Sequence, residues 1–273
     1  MDSITKAVIL AAGLGTRMRK ADDSATGLSK EQDAAASSGV KALIPIDRPF
    51  LDYVLHALAE AGFTKVCLVI GPDHHQLRDY YGTLATKRIR VSFAVQPKPL
   101  GTASAVAAAE EFAAGESFVM VNSDNYYPIN GLAKLRQLST PGLVAFERDA
   151  MISGSNIAAD RISKFAAVEI DHASSRFIRI HEKPEQGVID RLGTPLYLSM
   201  NCWRFSAKVF DACRAIKPSP RGEYEVTDAA QYCVDVLGEI FTAVKFEGAV
   251  LDMSSRNDIG AVAAKLKGTR VEL

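Results

Sequence analysis

The sequence predicts an α/β fold, a doubly wound and mostly parallel mixed sheet joined to a β-rich lobe. Three observations lead there. Short β-rich runs alternate with longer helical patterns through the first half of the 273 residues. The second half drops that alternation for a hairpin pattern and longer strands. Hydrophobic residues make up 48% of the chain, enough to bury a substantial core.

Element by element, the apolar run 7–10 reads as a buried strand that stops at a glycine turn. Strands are expected again at 66–70, 91–95, 118–121 and 143–146. Between them, apolar residues recur at helical spacing over 51–61, and helices are expected at 74–81 and across the alanine-rich 102–114. Segments 165–170 and 177–181, around Asp171-His172-Ala173-Ser174, read as an antiparallel hairpin. Further strands are expected at 196–205 and 240–246, with helices near 207–214, 226–237 and 257–267. Segment 20–39 is rich in Ser, Ala, Asp and Gly. It reads as a long loop, either a flap that orders over a ligand or a plain surface insertion. The expected organisation is one domain over 1–273, with two halves meeting near residue 146.

Composition narrows the function. Lys plus Arg number 32 and Asp plus Glu number 32, so there is no net charge to draw the chain to nucleic acid or an anionic membrane. No apolar stretch approaches the roughly 18 residues that cross a bilayer. The first residues lack the basic and apolar regions of a signal peptide, so a cytoplasmic location is expected. Cys67, Cys202, Cys213 and Cys233 show no CxxC spacing and read as reduced packing residues. The adjacent His74 and His75 read as a solvated helix start, lacking the spacing of a helical metal pair.

The sharpest local signal is AVILAAGLGTRMRK, 7–20. Gly13 and Gly15 permit positive φ and close approach of a ligand to the backbone. Amides in such a turn attract phosphate oxygens, and Arg17 suits a bidentate phosphate contact. A dinucleotide fingerprint would need a third glycine at Met18, and a Walker-type loop would need Gly-Lys-Ser/Thr. Alone, the turn fits a phosphate cradle and an ordinary strand-to-helix turn equally.

With VKALIPIDRPFLDYVL at 40–55, the turn resembles the signature of the sugar-1-phosphate nucleotidylyltransferases. Further segments follow in that family's order: QPKPLGTASAV (96–106), NSDNYY (122–127), FAAVEID and HEKP (within 165–184), MNCWRF and RGEYEVTDA (within 200–229), and VLDMSSRNDI (250–259). The resemblance covers nearly the whole chain. It implies a Rossmann-like fold with a nucleotide-binding half at about 1–146 and a sugar-phosphate-binding half at 147–273. The reaction implied is NTP plus sugar 1-phosphate giving NDP-sugar and pyrophosphate, with positioning and cations doing most of the work.

Residue by residue, the resemblance implies that Leu10, Ala11, Ala12, Gly13, Leu14, Gly15 and Thr16 wrap the triphosphate with Arg17, while Gln96, Gly101 and Thr102 receive the base. Lys41 would bridge phosphates of both substrates, and Asp124 and Asp252 would hold Mg²⁺. Lys183 and Arg221 would fix the acceptor phosphate, with Asn125, Glu169, Glu182 and Asn201 on the sugar side. Glu169 reads equally as a strand surface charge, and Glu223 as a sugar contact or a brace for Arg221. Tyr126 and Tyr127 suit either a pocket wall or packing beneath the 122–125 turn. Gln96 favours UTP or dTTP, because an amide offers both a donor and an acceptor to uracil or thymine. PLGTA also resembles the guanylyltransferases.

Three departures bear on the acceptor: Asn122-Ser123-Asp124-Asn125 around the first aspartate, Ala166 or Ala167 in place of a hairpin glycine, and Ser254-Ser255-Arg256 in place of Gly-Thr-Pro. The alternatives are a guanylyltransferase, a cytidylyltransferase acting on a non-sugar phosphate, and a non-catalytic regulatory relative. The expected partners are a nucleoside triphosphate and a sugar 1-phosphate, without nucleic acid or membrane, and the sequence is compatible with a homo-oligomer.

Overall fold

The strand KAVIL, Lys6–Leu10 (β1), alternates between two apolar surroundings, with Ala7 and Ile9 in one core layer and Val8 in the other. A strand covered on both faces reads as such a continuous apolar run. The computed structural model describes residues 3–20 and 28–273. The other strands are Lys65–Ile70 (β2), Arg90–Val95 (β3), Phe118–Asn122 (β4), Asn125–Tyr126 (β5), Gly142–Glu147 (β6), Ala167–Asp171 (β7), Arg176–His181 (β8), Tyr197–Phe205 (β9), Thr242–Phe246 (β10) and Leu251–Asp252 (β11).

Nine of these form one sheet in the order β3-β2-β1-β4-β9-β6-β10-β8-β7. Strands β3, β2, β1 and β4 are parallel neighbours. β9 runs against β4 and β6, and β8 runs against β10 and β7. The sheet is mixed, as expected, with β9 and β8 running against the other seven strands. One face is covered by helix Phe50–Glu60, which buries Phe50, Tyr53, Val54 and Leu58, and by helices Ile129–Gln137 and Arg256–Leu266. Helices Thr102–Ala107, Val209–Ala215 and Val226–Asp235 cover the other. The four cysteines are free, and burial pushes the Cys67 thiol up to about 11 and Cys213 to about 12. No helix among the described residues is long and apolar enough to cross a membrane.

Two expectations change. The helix over 102–114 breaks into Thr102–Ala107 and Glu110–Ala113, where the Ala109 N–H turns back to the Val106 carbonyl, a tightened i to i−3 spacing. The loop over 20–39 is in part a helix, Lys30–Ser38. Ser29 and Gln32 close a capping box at its start, and Gly39 ends it in a left-handed conformation with φ 79°. The rest of that loop, 21–27, lies outside the described residues.

Candidate active site

The parallel strands β3, β2, β1 and β4 deliver their carboxyl ends to one edge of the sheet, where open α/β sheets bind ligands. A cleft of about 490 Å³ opens there. Its lining includes Leu10, Ala11, Ala12, Gly13, Leu14, Gly15 and Thr16 after β1, Gln96, Gly101 and Thr102 after β3, and Asp124 after β4. Lys41 completes it from the returning chain. Ten nucleotide-side residues named from sequence thus share one cleft with Asp124 and Lys41. Arg17 is not in the lining; it stands exposed on helix Thr16–Arg19.

Local geometry explains this convergence. Gly15 has φ 62° and packs on the Gly39 carbonyl, where any Cβ would collide. That contact closes the 16–39 excursion and leaves Lys41 to start the short 3₁₀ turn Lys41–Leu43 beside the glycine loop. Gly101 has φ 108°, and a Cβ there would lie 2.5 Å from the Tyr224 carbonyl oxygen. The Tyr224 N–H donates to the Leu100 carbonyl at 2.8 Å, and the Val226 N–H donates to Thr102 Oγ1 at 2.8 Å. The QPKPLGTA segment is therefore stitched to RGEYEVTD across the two halves of the chain. Gln96 is buried and donates from Nε2 to the Gly101 carbonyl at 2.9 Å.

His74 departs from its expected solvated role. Its Nδ1 accepts the Gly71 N–H at 3.1 Å, its ring also bonds the Ala11 backbone, and burial holds its pKa below the ordinary value. It braces the glycine loop as a neutral ring, and it lines the cleft. His75 is exposed.

The two aspartates meet through a two-residue ladder. β5 and β11 pair antiparallel with Asp252 opposite Asn125, and the Met253 N–H donates to the Asp124 carbonyl at 2.8 Å. Asp124 Oδ2 accepts from Lys41 Nζ at 2.9 Å. Asp252 is buried. Its Oδ1 accepts from Ser254 Oγ at 2.7 Å and Asn125 Nδ2 at 3.1 Å, and its Oδ2 from Arg161 Nη2 at 2.6 Å. Burial, and then the Asp124 charge, push the Asp252 carboxyl above its ordinary value. Arg161 belongs to no sequence motif, and only the fold brings it here. Tyr127 is buried beneath the turn, donating to the Met200 carbonyl at 2.7 Å; this chooses packing over a pocket wall. Tyr126 is half-buried.

Glu169, Glu182, Lys183, Asn201 and Arg221 lie outside the cleft lining, on the second-half strands and their neighbouring loops. Lys183 and Asn201 hold positive φ of 45° and 53°. Asn201 sits where the β6–β9 register shifts, and its Oδ1 accepts from Trp203 Nε1 at 3.4 Å. Glu182 is an exposed residue whose carboxyl is nonetheless pushed up by partial desolvation, against a lowering hydrogen bond from Thr227. Arg221 is exposed and bonds Glu225 at 2.7 Å, while Glu223 lines the cleft. Both Glu169 oxygens are taken, by His181 Nε2 at 2.7 Å and Arg191 Nη1 at 2.9 Å, so a direct sugar contact would have to displace a partner.

The family model for nucleotidyl transferases matches residues 6–267. The chain is 30% identical over 260 residues to a glucose-1-phosphate thymidylyltransferase of Streptomyces antibioticus, covering 92% of this chain and 65% of that protein. It is 26% identical over 258 residues to a UTP–glucose-1-phosphate uridylyltransferase of Haloferax volcanii, covering 93% of each. A solved UDP-glucose pyrophosphorylase in complex with UDP-glucose shares the fold with a TM-score of 0.73 at 19% identity, over 98% of this chain and all of that one. The chain belongs to the nucleotidyl transferase family.

Proposed function

We propose that the protein transfers a nucleotidyl group from UTP or dTTP to a sugar 1-phosphate, giving an NDP-sugar and pyrophosphate. The observation that carries this is the Lys41–Asp124 pair, 2.9 Å apart in the cleft shared by the glycine loop and the Gln96–Gly101 segment. A phosphate oxygen of the sugar 1-phosphate attacks the α-phosphorus, and the bond from that phosphorus to the pyrophosphate oxygen breaks in line. Both reactants are polyanions, so the protein's task is to bring like charges together and hold them.

The loop amides of Gly13–Thr16 and the Arg17 side chain hold the β- and γ-phosphates. Lys41 exchanges its Asp124 partner for phosphate oxygens of both substrates. Lys183 and Arg221 fix the acceptor phosphate, while Glu182 and Asn201, with Asn125 behind them, orient sugar hydroxyls. Glu169 contributes by bracing the β7–β8 hairpin. The Gly101 carbonyl can only accept, so it fixes the Gln96 amide with its NH₂ group inward. That leaves Oε1 and one N–H for the base, a match to the N3–H and adjacent carbonyl of uracil or thymine.

The residues fit Mg²⁺. Asp124 and Asp252 are hard oxygen donors brought together by the β5–β11 ladder, and burial, then the Asp124 charge, raises the Asp252 carboxyl. No group of three His, Cys, Asp or Glu among the described residues could hold a metal alone, so phosphate oxygens and water would supply the remaining ligands. When bound, Mg²⁺ supplies charge neutralisation at the phosphates.

The test is a matrix of nucleoside triphosphates against sugar 1-phosphates with Mg²⁺, read by pyrophosphate release. UTP or dTTP should lead. A clear preference for GTP or ATP overturns the reading of Gln96, and no release with any pair overturns the enzyme. Hydrogen exchange at 20–39 should slow on adding the preferred triphosphate; equal rates make that segment a bystander.

A further inference from the structure

We infer that Arg161 is a resident counter-ion on the second metal carboxylate, closing the site to free divalent cations until nucleotide brings the metal in. This rests on the proposed metal role of Asp124 and Asp252.

Arg161, on helix Ala159–Ile162, places Nη2 2.6 Å from Asp252 Oδ2 and Nη1 3.1 Å from Asp258 Oδ1. Its side chain is 34% exposed, whereas the two carboxylates are 8% and 6% exposed. The other Asp252 oxygen already accepts from Asn125 and Ser254, so neither oxygen is free of a donor. Lys41 meanwhile occupies Asp124 Oδ2. Each proposed metal ligand therefore carries its own protein cation.

Asp258 differs in kind from the other two carboxylates. Its Oδ2 accepts from the Ser254 N–H at 3.1 Å, the Ser255 N–H at 2.7 Å and Ser255 Oγ at 2.8 Å, which commits it to the start of helix Arg256–Leu266. It gives Arg161 a fixed pivot, so the guanidinium can turn off Asp252 while one nitrogen stays bonded. A free divalent ion entering the site has two cations to displace, at close range and in a half-buried setting where charge repulsion is poorly screened. A triphosphate changes this. Its oxygens offer Lys41 a better partner, and their negative charge accompanies the metal. Only the Arg161 contact then has to yield, and the pivot keeps that step local.

The test measures Mn²⁺ binding by electron paramagnetic resonance on the full chain, free and with non-reactive α,β-methylene UTP. Free wild-type protein should bind Mn²⁺ in the millimolar range. Arg161→Gln should bind it about tenfold tighter, because three carboxylates then share one fewer cation. Arg161→Lys, which retains the charge, should stay weak. A free-protein affinity for Arg161→Gln equal to wild type overturns the counter-ion. Micromolar Mn²⁺ binding by the free wild-type protein overturns it without any variant, so a misfolded substitution cannot shield it. Asp252→Asn separates the layers. Lost Mn²⁺ binding in the analogue complex upholds the metal pair even if the Arg161 result fails, and unchanged binding removes the metal role of Asp252 and the counter-ion with it.

Discussion

Lys183 and Asn201 hold left-handed backbone conformations that cost about 1–3 kcal/mol in residues with a Cβ, and such strain persists where surrounding structure imposes it. Both fall on the sugar side of the proposed reaction, where a fixed side-chain direction matters most. The aspartates are the sharper test. Asp124→Asn removes a half-exposed carboxylate and should lower turnover by about 100-fold or more with little change in melting. Asp252→Asn should lose similar activity and also about 1–3 kcal/mol of stability, because it leaves Arg161 short of a partner. Near-normal rates at limiting Mg²⁺ in both variants would remove the metal pair. Glu182 makes a pH prediction. Partial desolvation raises its carboxyl above the ordinary 4.5 although the residue is exposed overall, so it takes up a proton earlier as pH falls. Only the carboxylate accepts from two hydroxyls, so kcat/KM for the sugar phosphate should fall along an acid limb lying above pH 4.5. Glu182→Gln should abolish that limb; a limb that persists belongs to another group. The stability sign is opposite. The folded state prefers the protonated acid, so the cost appears as pH rises through the raised value, and the glutamine variant should melt no lower at neutral pH.

Helix Lys30–Ser38 shows how an element can exist without an apolar stripe. Ala36 is its only buried residue. Arg256 holds it from outside. That buried guanidinium donates from Nε to the Met18 carbonyl at 3.0 Å and from Nη2 to Ser37 Oγ at 2.9 Å, and it pairs with Asp33. Arg256 follows the second aspartate segment directly, so one side chain ties that segment to both the phosphate-loop helix and the returning helix. Arg256→Ala should increase amide exchange across Lys30–Ser38 by about tenfold or more while leaving the sheet protected. Unchanged exchange there would show that Gln32, which donates to the Pro45 carbonyl at 3.0 Å, suffices.

At the scale of the molecule, one sheet carries both halves, with β9 joining β4 to β6. The residues proposed for the triphosphate follow β1, whereas those proposed for the acceptor phosphate follow β8 and β9. The Tyr224 N–H bond to the Leu100 carbonyl joins the Arg221 loop to the Gln96–Gly101 segment. Lys183→Ala and Arg221→Ala should therefore weaken sugar-phosphate binding by roughly 1.5–3 kcal/mol each, the worth of a charge-assisted hydrogen bond, with nucleotide affinity nearly unchanged. Calorimetry with each substrate checks this. A loss of NTP affinity with sugar-phosphate affinity retained would reverse the two sides.

The long strands were legible in the sequence because buried parallel strands must be apolar throughout, as 7–10 and 66–70 are. The glycine turn, Lys41, Gln96 and both aspartates were legible because their segments recur in a family pattern. Helix Lys30–Ser38 was not, since Arg256 supplies from far along the chain what local hydrophobicity lacks. Helix Gln186–Leu192 buries no residue and likewise offers no periodic signal. The β5–β11 ladder has two residues a side, too short for any alternation, yet it sets the aspartates together. Arg161 is the clearest case. Nothing near it in sequence marks it, and its role arises because folding brings a cation to carboxylates that desolvation has left in need of one.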